Sequence, residues 1–308
     1  MRILIIGAGV LGCNMAHNFY VAGKDITLFA RGAWGQNIKE RGLVIKNKFS
    51  LRSTCDKISV IDKLSREDEY DVIFVCLRYT QLCPIIDSIK ENTTKNIVFV
   101  GNNMDAEGLA SKLKEKTVMF AFASSAGQRT TDCVLSIDMK KITIGDLKTS
   151  KSNETFLQSI FEGTKYRVIY EANMGDYLLS HGAFIIPATL ACYYTDGNLK
   201  MIKNDKDFIY KVIDANAECY EAIESLGHEL LPKGEESYRL EKYRKRTYRF
   251  YKLLFSTVLG KICISDHAMN AADEMNVLAG ELEKMMVSAG VKADNFNELK
   301  KHINKYLG

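Results

Sequence analysis

The chain opens Met1-Arg2-Ile3-Leu4-Ile5-Ile6-Gly7-Ala8-Gly9-Val10-Leu11-Gly12. Residues 3–6 are an unbroken apolar run of the kind that forms a strand buried on both faces. The G-x-G-x-x-G that follows lies between this strand and a helix-periodic stretch over 10–21, the context that gives the hexapeptide meaning. Gly7 permits the tight turn, Gly9 lets a pyrophosphate approach the backbone, and Gly12 allows close helix–strand packing. Free N–H groups at the helix start then face the phosphates. Gly7, Ala8, Gly9, Val10, Leu11 and Gly12 are therefore a candidate dinucleotide-binding turn. The competing reading is a glycine-rich turn with no ligand.

The cofactor's identity turns on the end of the next strand, Thr27-Leu28-Phe29-Ala30-Arg31-Gly32. An NAD site places Asp or Glu there for the ribose hydroxyls, whereas this chain has Arg31. A guanidinium matches a 2′-phosphate through paired, charge-assisted hydrogen bonds. NADP(H) is the expected cofactor; the alternative is a solvated surface arginine.

Outward from this corner, strand-like runs at 25–29, 43–45, 58–61, 71–76, 96–100 and 118–123 alternate with helical spacing at 81–90 and 106–114. Two further strands, 134–137 and 141–144, read as a hairpin. The pattern predicts an α/β fold with a Rossmann-type doubly wound sheet. Beyond a short strand at 166–169, strand signals stop, and 174–194, 208–226, 235–254 and 271–289 carry apolar residues at three- and four-residue intervals. Pro187 is expected to kink the first of these helices rather than end it. The predicted organisation is an NADP-binding domain over 1–168 and an all-α substrate and dimerisation domain over 169–308, with a homodimer left open.

The 308 residues are 46% hydrophobic and 26% charged, an ordinary globular balance. Forty-two basic against 38 acidic side chains give a net charge of +4, too small an excess to imply a nucleic-acid or membrane partner. No apolar run approaches the ~18 residues of a membrane span, and no signal peptide precedes the first strand. A cytoplasmic location is expected. The eight cysteines lack close pairs and are read as small core residues, with no metal site.

In order along the chain, Gly7 to Gly12, Thr27 to Gly32 and Gly42-Leu43 resemble the N-terminal domain of the ketopantoate reductase (2-dehydropantoate 2-reductase) family. Phe74-Val75-Cys76-Leu77-Arg78, with Gln81, resembles the segment where that family carries a lysine near the nicotinamide, which puts Arg78 in the cofactor set. Val100-Gly101-Asn102-Asn103-Met104 is similar to the family's Asn-Gly loop. Asn102 there could hold a ribose, a carboxamide or substrate, and Asn103 stands in for a glycine, being tolerant of positive φ. Ala123-Ser124-Ser125-Ala126 falls where a further cofactor-lining strand ends, and 264–291 is similar to the last long helical segment. The resemblance implies substrate bound in a cleft between the two domains, hydride transfer from NADPH to a 2-oxo acid, and a place in pantothenate biosynthesis.

The chain also departs from the family pattern. The family's Lys-x-x-x-Asn-x-x-x-Asn-Pro, aligned on Pro187, falls on Leu178, Gly182 and Ile186, and its substrate-binding serine falls on Ile262. Asp266 and Glu274 persist, and with Asn270 they are expected to form a polar stripe on one helix. His181 lies three residues after Leu178, about 60° from the lost lysine's direction. His181 and Glu274 are the candidate catalytic residues, and Asn102, Asp266 and Asn270 the candidate substrate contacts. For His181 the competing reading is a histidine bonded to a backbone carbonyl or solvent. His267 is a second candidate acid, while His17, His228 and His302 are assigned no role.

Residues 238–252, from Tyr238 and Arg239 to Lys252, are basic and rich in tyrosine. A helix with inward tyrosines and snorkelling cations is preferred there over a nucleic-acid surface. The expected partner is a small-molecule carbonyl substrate, with neither nucleic acid nor membrane. A non-catalytic NADP(H)-binding sensor or scaffold is the alternative function.

Overall fold

The computed structural model describes residues 1–50, 52–148, 152–235 and 240–307. The chain divides into two units: Met1–Gly101 with Asp105–Gly175, and Asn102–Met104 with Asp176–Gly308. The main division thus falls at 175/176 rather than 168/169, and the short loop 102–104 belongs with the helical unit.

The first unit runs β1 (Arg2–Ile6), α1 (Val10–Val21), β2 (Asp25–Phe29), α2 (Gly32–Arg41), β3 (Leu43–Asn47), β4 (Ser53–Asp56), β5 (Ser59–Ile61), β6 (Val72–Val75), α3 (Cys83–Glu91), β7 (Asn96–Val100), α4 (Ala106–Ser111), β8 (Thr117–Arg129), β9 (Val134–Asp146), α5 (Glu154–Phe161) and β10 (Arg167–Tyr170). These strands form one sheet in the order β4-β3-β9-β8-β7-β6-β1-β2-β5, with β10 added to β9. β1, β2, β5, β6, β7 and β8 are parallel, as continuous apolar runs predict. Ile3, Leu4, Ile5 and Ile6 are fully buried, as are Val72, Ile73 and Phe74. After β1 the chain moves first to β2 on one side and later to β6 on the other. The sheet therefore reverses direction between β1 and β6, where open α/β sheets bind ligands outside the carboxyl ends.

The expected hairpin at 134–144 is not formed. β9 is one strand, and its hairpin partner is β8. Lys140 at φ 51° interrupts the alternation midway, and the two halves pair outward with different strands, β3 at 134–136 and β10 at 141–144. That split produced the appearance of two strands. α2 went unanticipated because it buries only Trp34, Gly35 and Ile38, too sparse a stripe to give a clear helical period.

The second unit holds nearly all of α6 (Met174–Tyr194), then α7 (Lys206–Ser225), α8 (Arg244–Ser256), α9 (Val258–Gly260), a π-helical turn (Lys261–Ser265), α10 (Asp266–Asn270), α11 (Ala272–Ser288) and α12 (Asp294–Lys300). α8 begins at Arg244 rather than near 235, and Tyr238 and Arg239 lie outside the described residues. Its Thr247, Tyr251 and Phe255 face inward. α6 continues through Pro187. Proline has no N–H to give the Ala183 carbonyl one turn back, and the Asn216 amide of α7 supplies the missing donor at 2.6 Å. The same amide group reaches the Phe184 carbonyl at 3.0 Å. The Tyr251 hydroxyl in turn donates to Asn216 Oδ1, so one buried side chain ties α6, α7 and α8 together.

Candidate functional site

The glycine-rich turn has the geometry its sequence demands. Gly7 adopts φ +108°, and a Cβ there would stand 2.5 Å from the Cys76 carbonyl oxygen at the end of β6. A Cβ on Gly12 would collide with the Gly7 carbonyl oxygen. Gly9 is different: it caps α1 at φ −85°, ψ −167°, an extended conformation open to any residue, and a Cβ there meets nothing within 4 Å. Neither backbone nor packing requires glycine at position 9. α1 has no side-chain N-cap and no acid in its first turn, which leaves its amide groups for an anion. A helix start with this geometry is one that could take a dinucleotide's pyrophosphate.

Other loops leave the same carboxyl edge of the sheet. Arg31 caps α2, is exposed, and lays its guanidinium over Phe29 at 6.0 Å. Arg78 follows β6 and caps a short helical turn, where its backbone N–H donates to Gln81 Oε1 at 3.3 Å. Gln81 is thus used locally. After β7, Gly101 takes the positive φ, +133°. Asn103 does not, so asparagine is there for a reason other than backbone strain. Asn102 buries its Oδ1 without a hydrogen-bond partner, an orphan acceptor of the kind a bound ligand satisfies. Ala126 is not at a strand end, because β8 runs on to Arg129 past an irregularity between Ala123 and Ser125.

Two polar pairs escaped the sequence. Asn14 in α1 donates to Ser125 Oγ at 2.5 Å and accepts from Ser136 Oγ at 2.9 Å, which fastens the helix behind the turn to β8 and β9. His17 Nδ1 lies 2.7 Å from the buried carboxylate of Asp56. No local motif marks either pair, since each joins residues far apart in the chain.

In the helical unit, the positions aligned with the family's lysine and asparagines are closed by packing. Leu178 and Ile186 are buried, and a Cβ on Gly182 would collide with Met104 Sδ. Ile262 is buried as well. His181 stacks on Tyr177 at 6.5 Å between ring centres. Burial, with a smaller push from His267, takes its imidazole down to about 4, so it is neutral at pH 7 and offers an N–H rather than an imidazolium proton. The expected polar stripe is broken. Asn270 ends α10, Ala271 leaves the helix at φ −143°, and Glu274 lies in the first turn of α11. Asp266 pairs with Lys261, Asn270 donates to the Asp266 carbonyl at 2.6 Å, and Glu274 is buried. His228, given no role from sequence, sits 2.7 Å from Asp176, which also accepts the Glu229 N–H at 2.9 Å.

Of the cysteines, Cys13, Cys76, Cys133, Cys192 and Cys219 are core residues as expected, but Cys55 and Cys83 are exposed. Among the described residues no group of three or more His, Cys, Asp or Glu could hold a metal ion, and no helix is long and apolar enough to cross a membrane. A surface groove of about 500 Å³ is lined by Thr155, Gln158, Phe161 and Tyr166. Phe161 packs on Phe19 in the last turns of α1, the end remote from the glycines, so this groove is not the nucleotide site.

Comparison with known proteins agrees with this geometry. Residues 3–149 match the family model described as Ketopantoate reductase PanE/ApbA. No curated protein gave a significant sequence match. A PanE/ApbA family ketopantoate reductase from Ralstonia eutropha JMP134 superposes with TM-score 0.79 at 18% identity, over 99% of this chain and 98% of that one. The probable 2-dehydropantoate 2-reductase panE from Bacillus subtilis gives TM-score 0.75 at 16% identity over 100% of both chains. A D-mandelate dehydrogenase in complex with NADH gives 0.78 at 15% identity, over 99% of this chain and 98% of that one. At such identities these likenesses establish the fold, and the resemblance to the ketopantoate reductase PanE/ApbA family rests on residues 3–149, the motif-bearing part of the chain.

Proposed function

We propose that the protein is an NADPH-dependent reductase of a 2-oxo acid or a related carbonyl compound. The observation that carries this reading is the turn at Gly7–Gly12, where Gly9 is kept bare by no contact of the protein's own. Gly7, Ala8, Gly9, Val10, Leu11 and Gly12 hold the pyrophosphate, Arg31 binds the 2′-phosphate, and Arg78, Asn102 and Ala126 line the rest of the nucleotide. Bound there, the reduced nicotinamide supplies a hydride to the carbonyl carbon. The chain's residues orient the carbonyl and meet the negative charge that develops on its oxygen. His181, neutral at pH 7, does this by donating an N–H hydrogen bond, as a preorganised dipole rather than a charged acid. Glu274 is the second catalytic candidate, with Asn102, Asp266 and Asn270 as substrate contacts. The match of residues 3–149 to the ketopantoate reductase model supports a 2-oxo acid, and NADPH rests on Arg31.

A fluorescence titration tests the core of this reading: NADPH is expected to bind at micromolar concentration, and a protein that leaves it free refutes the proposal. Arg31→Ala should weaken NADPH by about 10- to 100-fold while sparing NADH; equal losses would remove phosphate recognition from Arg31.

A second reading, a non-catalytic NADP(H) sensor, is favoured by the packed apolar positions Leu178, Gly182 and Ile186. It forecasts tight nucleotide binding without NADPH oxidation by any of a panel of 2-oxo acids, aldehydes and imines. Turnover above background with one of them excludes it.

A further inference from the structure

We propose that Trp34 and Arg129 complete the cofactor site: Trp34 as the positioning residue of the glycine-rich turn, and Arg129, laid on its ring, as a second guanidinium for the cofactor's 2′-phosphate. The inference rests on the NADP(H) reading above and assigns two residues which that reading does not use.

Trp34 lies in the first turn of α2, three residues after Arg31, and its ring is almost fully buried. Its indole Nε1–H donates to the Ala8 carbonyl at 2.9 Å. Ala8 stands between the two glycines of the turn. Because a trans peptide is planar, its C=O and the next N–H point in opposite directions. Pinning the Ala8 carbonyl to Trp34 therefore aims the Gly9 N–H away from α2. That N–H has no protein acceptor among the described residues. One indole hydrogen bond thus fixes the orientation of the peptide group at which a phosphate is expected.

Arg129 is the last residue of β8, and its guanidinium lies over the Trp34 ring at 5.7 Å from the centroid. It is exposed and has no carboxylate partner among the described residues. Asp132, the acid of the same hairpin turn, faces Arg41 instead at 3.9 Å. Arg31 also lacks a carboxylate partner among the described residues, and its guanidinium rests on the Phe29 ring. α2 has no acid in its first turn. Two guanidiniums therefore attach to one helical turn, each steadied by a π-face and each with its donors unspent. A phosphate monoester, doubly charged near neutral pH, is the anion that such a pair accommodates best.

The test measures dissociation constants for NADPH and NADH from the fluorescence of the reduced nicotinamide, in the full-length protein, Arg129→Gln and Trp34→Phe. Arg129→Gln should weaken NADPH about 10-fold and NADH less than threefold. Trp34→Phe should weaken both nucleotides about equally, raising KM for the cofactor with kcat at saturation unchanged. A purely structural role for Arg129 would not alter the NADPH-to-NADH ratio, so an unchanged ratio overturns its assignment. Unchanged binding in Trp34→Phe overturns the other half. Trp34 is the only tryptophan in the chain, so a second measurement needs no variant. Adenosine 2′,5′-bisphosphate, which has no nicotinamide to quench the indole, should change the emission of the unmodified protein, and a flat titration refutes the placement. If the unmodified protein binds neither NADPH nor NADH, the NADP(H) reading itself has failed, a result distinct from either loss above.

Discussion

In the sheet unit, the polar groups around the glycine-rich turn are left unspent by the protein; in the helical unit, they are largely consumed by it. Among the described residues, Gly9 N–H has no acceptor and Arg31 and Arg129 have no carboxylate partner. By contrast, Asn216 replaces a hydrogen bond removed by Pro187, Tyr193 donates to the Ala268 carbonyl at 2.7 Å, Ser265 to the Gly197 carbonyl at 2.5 Å, and Asp176 holds His228 and the Glu229 N–H. On the proposed reading the first arrangement is a receptor built in advance of its ligand, since donors that are ordered and unpaired cost little to reorganise on binding. The second is a scaffold. Asn102, grouped with the helical unit, is the exception there, with its orphaned Oδ1.

The sharpest way to break this contrast is to ask whether the scaffold also does chemistry. His181→Ala is expected to lower kcat by ~10²–10⁴; a loss below threefold would leave the helical unit without its proposed hydrogen-bond donor. Next come two glycines of one turn. Gly9→Ala should fold and melt like the parent yet bind NADPH about 10- to 100-fold more weakly, because its Cβ meets only the ligand's space. Gly12→Ala should lose thermal stability as well, since its Cβ collides with the Gly7 carbonyl oxygen. Equal melting temperatures for the two variants would erase the distinction between ligand-facing and packing glycines.

On the scaffold side, Asn216→Leu strands the Ala183 carbonyl and the Tyr251 hydroxyl. It should destabilise the protein by about 1–3 kcal/mol in denaturant titrations, with NADPH affinity unchanged in the protein that remains folded. The smallest effect is the pH dependence from His181. Its imidazole is depressed from 6.5 to about 4 in the folded protein. Between those values the unfolded chain binds the proton and the folded one does not, so this contribution is present in full above pH 6.5 and is lost as pH falls toward 4. A slope worth about 2 kcal/mol, after allowance for partial exposure, should disappear in His181→Gln. An unchanged acid limb would mean that other groups carry it.

The sheet unit was legible from sequence because its signals are local. Residues 3–12 contain strand, turn and helix start in one uninterrupted stretch, and the apolar runs of β6 and β7 are buried on both faces. β9 misled because the positive φ at Lys140 breaks the alternation from which a strand is read. The helical unit was legible as helices but not as a site. The break at Ala271 separates Asn270 from Glu274, and nothing in an alanine announces it. Trp34–Ala8, Asn14–Ser125, Asp176–His228 and Asn216–Ala183 each join residues far apart in sequence, and spacing rules do not reach them. The departures at Leu178, Gly182 and Ile186 were visible, but their physical meaning required Met104 Sδ to be seen against Gly182.

β9 carries a consequence for how the chain is made. Its first residues are the sheet attachment of β3, through Ile45–Val134, Lys46–Leu135 and Asn47–Ser136, and β3 alone holds β4. As the polypeptide leaves the ribosome, the β3–β4 pair must therefore wait, with one edge bare, until Val134 has been synthesised. In a cell, that interval is when this ribbon is most open to pairing with a stranger.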